Sequence, residues 1–411
     1  MSNTDVVVTG LGATTPLGGD LATTWSALLE GRSGVQTIEE DWVSELPVHF
    51  AGLAAEEPST KLARHRLRRL DRTQQFALIC AHEAWEDAGS PEVDPVRLGA
   101  VVSSGIGGIL TTLNQYDVFR EKGWKRVSPF TVPMLMPNSS SAAVALEFST
   151  QAGAHAPVSA CASSAEAIGD AVAMIRSGRA DVVLAGGTEA AIHPLNIAAF
   201  ASMRALSTHN EDPQGASRPW DVNRDGFVMG EGAGMVVLES AEHAAARGAR
   251  VYAVAAGSGY SNDGYDIVAP DPEGEGQARA IANVLADAEL RPADIAHINA
   301  HATSTPMGDV GETVAIRKAL GDSADQVVVT STKSMTGHLL GGAGVVESIA
   351  TILALYHGQI PPTINIDELD EGVVVDIARD KPRELSAGAI AAINQGFGFG
   401  GHNVALAFRR P

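Results

Sequence analysis

The sequence predicts an α/β fold assembled from two related halves. Two observations carry that reading. First, apolar runs of strand character alternate with helical patterns along the chain, at 5–10, 99–105, 157–160, 181–187, 251–259, 297–302 and 327–333. Runs that are apolar throughout fit a sheet buried on both faces. Second, PVSACASSAEAIGDAVAMI (157–175) reads as a strand, a sharp turn and a helix rich in small residues. VVVTSTKSMTGHLLGGAGVVESIATILAL (327–355) repeats that order in the second half of the chain.

Each of these two helices is apolar nearly all round, so each is expected to be buried. Gly169 in the first, and Gly341, Gly342 and Gly344 in the second, would weaken an isolated helix. They make sense if the helices approach each other or a sheet closely. With 411 residues, 45% hydrophobic, the chain has ample material for a core. A run of 18 or more apolar residues is not found, so a transmembrane helix is not expected. MSNTDVVVTGLG lacks a basic leader and runs straight into a strand, which reads as the start of a cytoplasmic protein.

The formal net charge of −20 argues against nucleic-acid binding. Basic residues are concentrated at one place, KLARHRLRRLDR (61–72), which reads as a helix. The two cysteines, Cys80 and Cys161, form no CxxC and no disulfide framework. Cys80 falls in an amphipathic helical pattern, where a buried inert thiol is expected.

Cys161 stands where a strand turns into a helix. Free amide N–H groups and the helix dipole favour an anion there, which would lower a thiol's pKa and make it a nucleophile. A packed structural thiol is the alternative. His301 (INAHATSTPMGD) and His338 (TKSMTGHLLGGAG) both follow strands and sit among Thr, Ser and Gly, as residues lining a site do. Glu347 lies on an otherwise apolar helix and needs a partner, for which Lys333 is the candidate. NQGFGFGGHN (394–403) reads as a Gly-rich turn able to approach a ligand closely.

VSACASS, NAHATSTPMGD, KSMTGHLLGGAGVVES and GFGFGGHN, in this order and spacing, resemble the β-ketoacyl-[acyl-carrier-protein] synthases, in their elongating type II branch. VVVTGLGATTPLG, SRPWDVNRDGFVMGEGAG and IPPTINID fit the same family, so the resemblance covers essentially the whole chain. It implies a thiolase-like fold: duplicated βαβαβαββ halves in five α-β-α-β-α layers, residues 1–250 carrying the cysteine and 251–411 the two histidines. It implies a homodimer, an acyl carrier protein as partner, and neither a metal nor a resident cofactor, the phosphopantetheine arriving on the carrier.

Position by position, the resemblance makes Cys161 the acylated nucleophile and His301 and His338 the paired catalytic histidines. Lys333 and Glu347 become the supporting ion pair. Phe399 becomes a gate whose N–H joins that of Cys161 in an oxyanion hole. Thr303 and Thr305 would contact the pantetheine arm, and Ile106 and Phe397 would line the substrate site. Arg68 and Arg69, with Arg204 across the entrance, would dock the acidic carrier. Two positions depart from the family pattern: Ala302 and Gly396 stand where glycine and serine are usual.

The implied reaction is a decarboxylative Claisen condensation of an acyl chain with malonyl carrier, the elongation step of fatty acid synthesis. The catalytic ketosynthase subunit of an aromatic polyketide system shares every motif and is the alternative. A thiolase would carry a second cysteine in the 394–403 segment, a starter-condensing synthase an asparagine for one histidine, and a chain-length factor no Cys161. GLGATTPLG lacks the third glycine of a dinucleotide-binding loop.

Overall fold

The structure is a computed structural model that describes residues 5–386 and 388–411. The first four residues of the N-terminal stretch read above lie outside the described residues. Five strands of the large sheet belong to the first half: β1 (Val6–Thr14), β2 (Leu98–Ser103), β3 (Gly153–His155), β4 (Val182–Glu189) and β5 (Gly232–Ser240). They lie in the order β1-β5-β4-β2-β3, with β5 antiparallel to both neighbours and the rest parallel.

The second half repeats this arrangement. Its strands are β6 (Ala253–Asn262), β7 (Ile295–Asn299), β8 (Val328–Thr330), β9 (Asp376–Ile377), β10 (Ala391–Gly398) and β11 (His402–Arg409). Their order is β6-β11-β10-β7-β8-β9, with β11 in the antiparallel place of β5. Antiparallel pairing of β1 with β6, at Val7–Val254 and Val8–Ala253, joins the halves.

Helices cover the sheet in layers. Outside the first half pack α1 (Arg72–Asp87) and α2 (Ser139–Phe148); outside the second pack α4 (Glu275–Asp287) and its neighbour α5 (Gly308–Leu320). Between the halves lie α3 (Ser163–Arg176) and α6 (Ala343–His357), each touching strands of both. This is the five-layer thiolase-like architecture. A Cβ on Gly344 of α6 would lie 2.7 Å from the amide nitrogen of Ala165 in α3, so the central pair depends on that glycine. Gly169 instead admits the Tyr260 hydroxyl of β6. Residues 340–357 have a membrane helix's length and hydropathy, but 89% of that window is buried inside the protein, as befits a central core helix.

Three readings of the sequence need correction. Residues 157–160 are not a strand; the strand before Cys161 is β3, at the edge of the sheet. The 394–403 segment is mostly β10 and β11, and only residues 399–401 turn between them. The basic stretch is not one helix. A single turn, Arg64–Leu67, ends before Asp71, whose carboxylate accepts from Thr73 N (2.9 Å) and both the amide and hydroxyl of Thr111 (3.2 and 2.6 Å). Asp71 thereby caps α1 and ends the turn before it. Cys80 lies buried in α1, as expected, and burial pushes its thiol well above the ordinary range.

Candidate active site

The turn into α3 is fixed from both sides. Ala160 adopts a left-handed conformation (φ 51°), opening a 3-10 turn over Ala160–Ala162 that continues as the helix. Ser163 Oγ donates to Ala160 O (2.6 Å) and accepts from Ser159 N (3.0 Å), holding the turn closed. Cys161 therefore stands at the helix start, half-buried, on the wall of a cavity of about 520 Å³. Burial pushes its thiol up to about 12, with the Glu189 and Glu347 carboxylates adding to the rise. Lys333 and the Phe399 N–H pull the other way. The lowered pKa expected from the helix start is thus outweighed by burial, and the resting thiol is neutral.

His301 follows β7 and His338 follows the one-turn helix Lys333–Thr336. Both reach the same cavity as Cys161. Their rings meet edge to face, with centroids 5.4 Å apart and planes at 87°. Phe397 packs against His301 and Phe227 against His338. Backbone bonds place His338: its N–H donates to Val228 O (2.7 Å) and its carbonyl accepts from Gly230 N (2.8 Å). Burial and the Lys333 charge hold both imidazoles well below the ordinary histidine range, so both are neutral near pH 7.

Lys333 and Glu347 form a fully buried ion pair behind the histidines, off the cavity wall. The carboxylate on the apolar helix has found the cation proposed for it. Burial pushes Glu347 up to about 7, against the pull of Lys333.

Ile106, Thr303, Thr305, Phe397, Phe399 and Arg204 all line this cavity. The hydroxyls of Thr303 and Thr305 lie 3.3 Å apart. Arg68 and Arg69 are exposed and off the cavity wall; Arg69 covers the Phe130 ring at 5.2 Å. The neighbouring Arg66 is paired with Glu147, and Arg72 with Glu57 and Glu231. Ala302 is buried without strain, its N–H donating to Glu312 (2.7 Å). A side chain at Gly396 would meet Ala162 and Ala165 at 3.5 Å, ordinary contact, so the fold leaves room for a serine there.

Three carboxylates at the site were not found from the sequence. Glu312 accepts from the amides of His301 and Ala302 (both 2.7 Å) and so fixes the first histidine's loop. Asp309 accepts from Trp220, Ser304 and Thr305 amides (3.0, 3.1 and 3.3 Å). Glu189, at the end of β4, accepts from Ser104, Gly105, Ile106 and Gly341. Burial raises Glu312 to about 8, Asp309 to about 6 and Glu189 to about 7. The spacing of Asp309 and Glu312 on one helix was the available signal for those two. Nothing local marked Glu189.

A thiol and two neutral imidazoles on one cavity, at the centre of a duplicated thiolase-like fold, define a condensing enzyme. The chain belongs to the β-ketoacyl synthase family: residues 3–244 match its N-terminal domain and residues 252–367 its C-terminal domain. It is 46% identical over 408 residues to 3-oxoacyl-[acyl-carrier-protein] synthase 2 of Mycobacterium tuberculosis, covering 98% of this chain and 97% of that one. The enzyme of the same name from Synechocystis is 44% identical over 408 residues, covering 98% of each. Among solved structures, a β-ketoacyl synthase from Burkholderia phymatum superposes with a TM-score of 0.90 at 33% identity, covering 99% of both chains. A type II polyketide ketosynthase, bound to a hexaketide and in complex with its acyl carrier protein, superposes at 0.89 with 31% identity, again covering 99% of both.

Proposed function

We propose that the chain is an acyltransferase that joins an acyl chain held on Cys161 to malonyl-acyl-carrier protein, giving 3-oxoacyl carrier in fatty acid elongation. The observation that carries the reading is the convergence of Cys161, His301 and His338 on one cavity, with the Lys333–Glu347 pair behind them.

In the first stage the sulfur of Cys161 attacks the thioester carbonyl of acyl carrier. The carrier thiol leaves with the proton that Cys161 gives up. The amides of Cys161 and Phe399 stabilise the oxyanion formed in between. In the second stage malonyl carrier binds and its carboxylate carbon bond breaks, releasing carbon dioxide. The electron pair moves to the thioester as an enolate. His301 and His338, kept neutral by desolvation and by the Lys333 charge, each donate an N–H to the enolate oxygen. The enolate carbon attacks the acyl carbonyl on Cys161, the carbon–sulfur bond breaks, and the Cys161 thiolate takes a proton from solvent as 3-oxoacyl carrier leaves.

The mouth of the cavity receives the pantetheine arm along Thr303 and Thr305, with Phe399 as gate. Arg204 at the mouth and the exposed Arg68 and Arg69 attract the acidic carrier. A second copy of the chain covers the open edge of β3 and the exposed Tyr116, Phe119 and Trp124 in a homodimer. The N-terminal half ends near residue 250, and the enzyme works in the cytoplasm.

Mass spectrometry of carrier products, after mixing with saturated acyl carrier and malonyl carrier, tests the reading. A single 3-oxoacyl product two carbons longer is expected. Repeated unreduced extension from the same mixture would instead mark a polyketide ketosynthase, and no carbon–carbon bond formation would overturn both.

A further inference from the structure

Glu189 is fully buried, lines the cavity, and forms no ion pair among the described residues. A buried carboxylate without a cation is costly unless neutral donors surround it. Four do. Oε2 accepts from Gly105 N (2.8 Å) and Gly341 N (3.0 Å), and Oε1 from Ser104 Oγ (2.7 Å) and Ile106 N (3.4 Å). Ser104 Oγ in turn accepts from Gly107 N (2.8 Å). Every backbone N–H from Gly105 to Gly107 is therefore held, directly or through Ser104, by this one carboxylate.

The loop so held touches both halves of the site. A Cβ on Gly341 would fall 2.1 Å from Gly105 N, so the two segments meet backbone to backbone. On Gly105 a Cβ would lie 3.3 Å from the carbonyl of Ala160, in the turn that carries Cys161. Gly341 is also the topological counterpart of Cys161. Each is the second residue of a 3-10 turn that opens on a left-handed residue (Ala160, Leu340) and leads into a central helix. Where the first helix start faces substrate, the second is filled from within by Glu189.

We propose that Glu189 is a positioning residue that shapes the acyl-chain passage. Its carboxylate locks the backbone around Ile106 against the start of α6 and so sets where the Ile106 side chain stands on the cavity wall. Selectivity between short and long acyl chains then depends on Glu189, while enolate formation depends on the histidines. This inference rests on the condensing reading above.

Glu189→Gln keeps the shape but turns an amide NH₂ toward groups that are themselves donors. Ser104→Ala removes one donor and keeps the carboxylate. The experiment measures kcat/KM for a series of saturated acyl carriers, malonyl-carrier decarboxylation without acyl substrate, and Tm, on wild type and both variants. Loss of buried hydrogen bonds of this kind supports an expected fall of about tenfold or more on long chains relative to decarboxylation for Glu189→Gln, and a smaller fall in the same direction for Ser104→Ala. Equal losses across chain lengths and decarboxylation, or a chain-length profile identical to wild type, overturn the proposal. If Glu189→Gln does not fold, the Ser104→Ala profile decides alone. A wild type that condenses no chain length overturns the condensing reading itself, which separates the two failures.

Discussion

The imidazoles of His301 and His338 stand edge to face at 5.4 Å although they come from segments on opposite sides of β8 in the chain. His338 is buried and His301 half-buried, both are neutral, and both reach the cavity wall that carries Cys161. His301→Ala and His338→Ala are each expected to keep acylation of Cys161 and to lose decarboxylation of malonyl carrier. Removal of one preorganised donor costs about 10²–10³ in rate. Carbon dioxide release and intact-mass acylation, measured side by side, check the split. Decarboxylation at the wild-type rate in either variant would make that histidine structural.

Lys333 contributes to the pH range over which the pair works. Burial does most to lower the pKa of both histidines and the Lys333 charge lowers them further, so they stay neutral well below the ordinary histidine range. Without it their pKa values rise, protonation begins at higher pH, and the acid limb of the decarboxylation profile moves up. Lys333→Met also strands the buried Glu347 carboxylate, at a cost of about 3–5 kcal/mol. The double variant Lys333→Met with Glu347→Leu replaces the pair by apolar groups, which is expected to recover most of that stability. Its acid limb should remain displaced. A pH–rate profile matching wild type in the double variant would remove Lys333 from the account.

Gly344 and Gly396 both face Ala165 of α3 but should respond differently to added atoms. Gly344→Ala gains helix propensity of about 1 kcal/mol but drives a methyl to 2.7 Å from the Ala165 backbone. Overpacking costs about 1–3 kcal/mol, so a net loss of Tm is expected. Gly396→Ser meets only ordinary contacts at 3.5 Å and should change stability little. Thermal unfolding of the two single variants checks the contrast. Equal shifts would mean that the central helices do not depend on close approach.

These contrasts also show what the sequence could and could not disclose. The Lys333–Glu347 pair was legible because a carboxylate on an apolar helix demands a cation, wherever the chain supplies one. Strand β10 was not, because AAINQGFG carries the polar and glycine content of a turn. Its Asn394 donates Nδ2–H to Gly344 O and Ser348 Oγ (both 2.9 Å) on the central helix, partners that only the packed fold supplies. Glu189 escaped notice for the same reason, its donors coming from two distant loops. The break in the basic stretch was readable in principle, since Asp71 followed by Gln74 is a capping pair.

That break narrows the carrier-docking claim. Arg66 and Arg72 are committed to ion pairs, which leaves Arg64, Arg68 and Arg69 as exposed charges. Arg68→Glu with Arg69→Glu is expected to raise KM for acyl carrier and blunt the salt dependence of kcat/KM. Turnover of a small acyl-pantetheine thioester, which lacks the carrier's charge, should barely change. Equal losses on both substrates would indicate damage to the fold, and no loss on either would leave the arginines as solvated surface.

The role of Cys161 is the centre of the account, and intact-mass analysis tests it most directly. Wild type mixed with a saturated acyl carrier should gain the mass of one acyl group, and Cys161→Ala should gain none. With the histidines and the Phe399 amide still in place, that variant should continue to release carbon dioxide from malonyl carrier. An acyl adduct that persists on Cys161→Ala, the buried Cys80 being the remaining thiol, would contradict the assignment of Cys161 as the nucleophile.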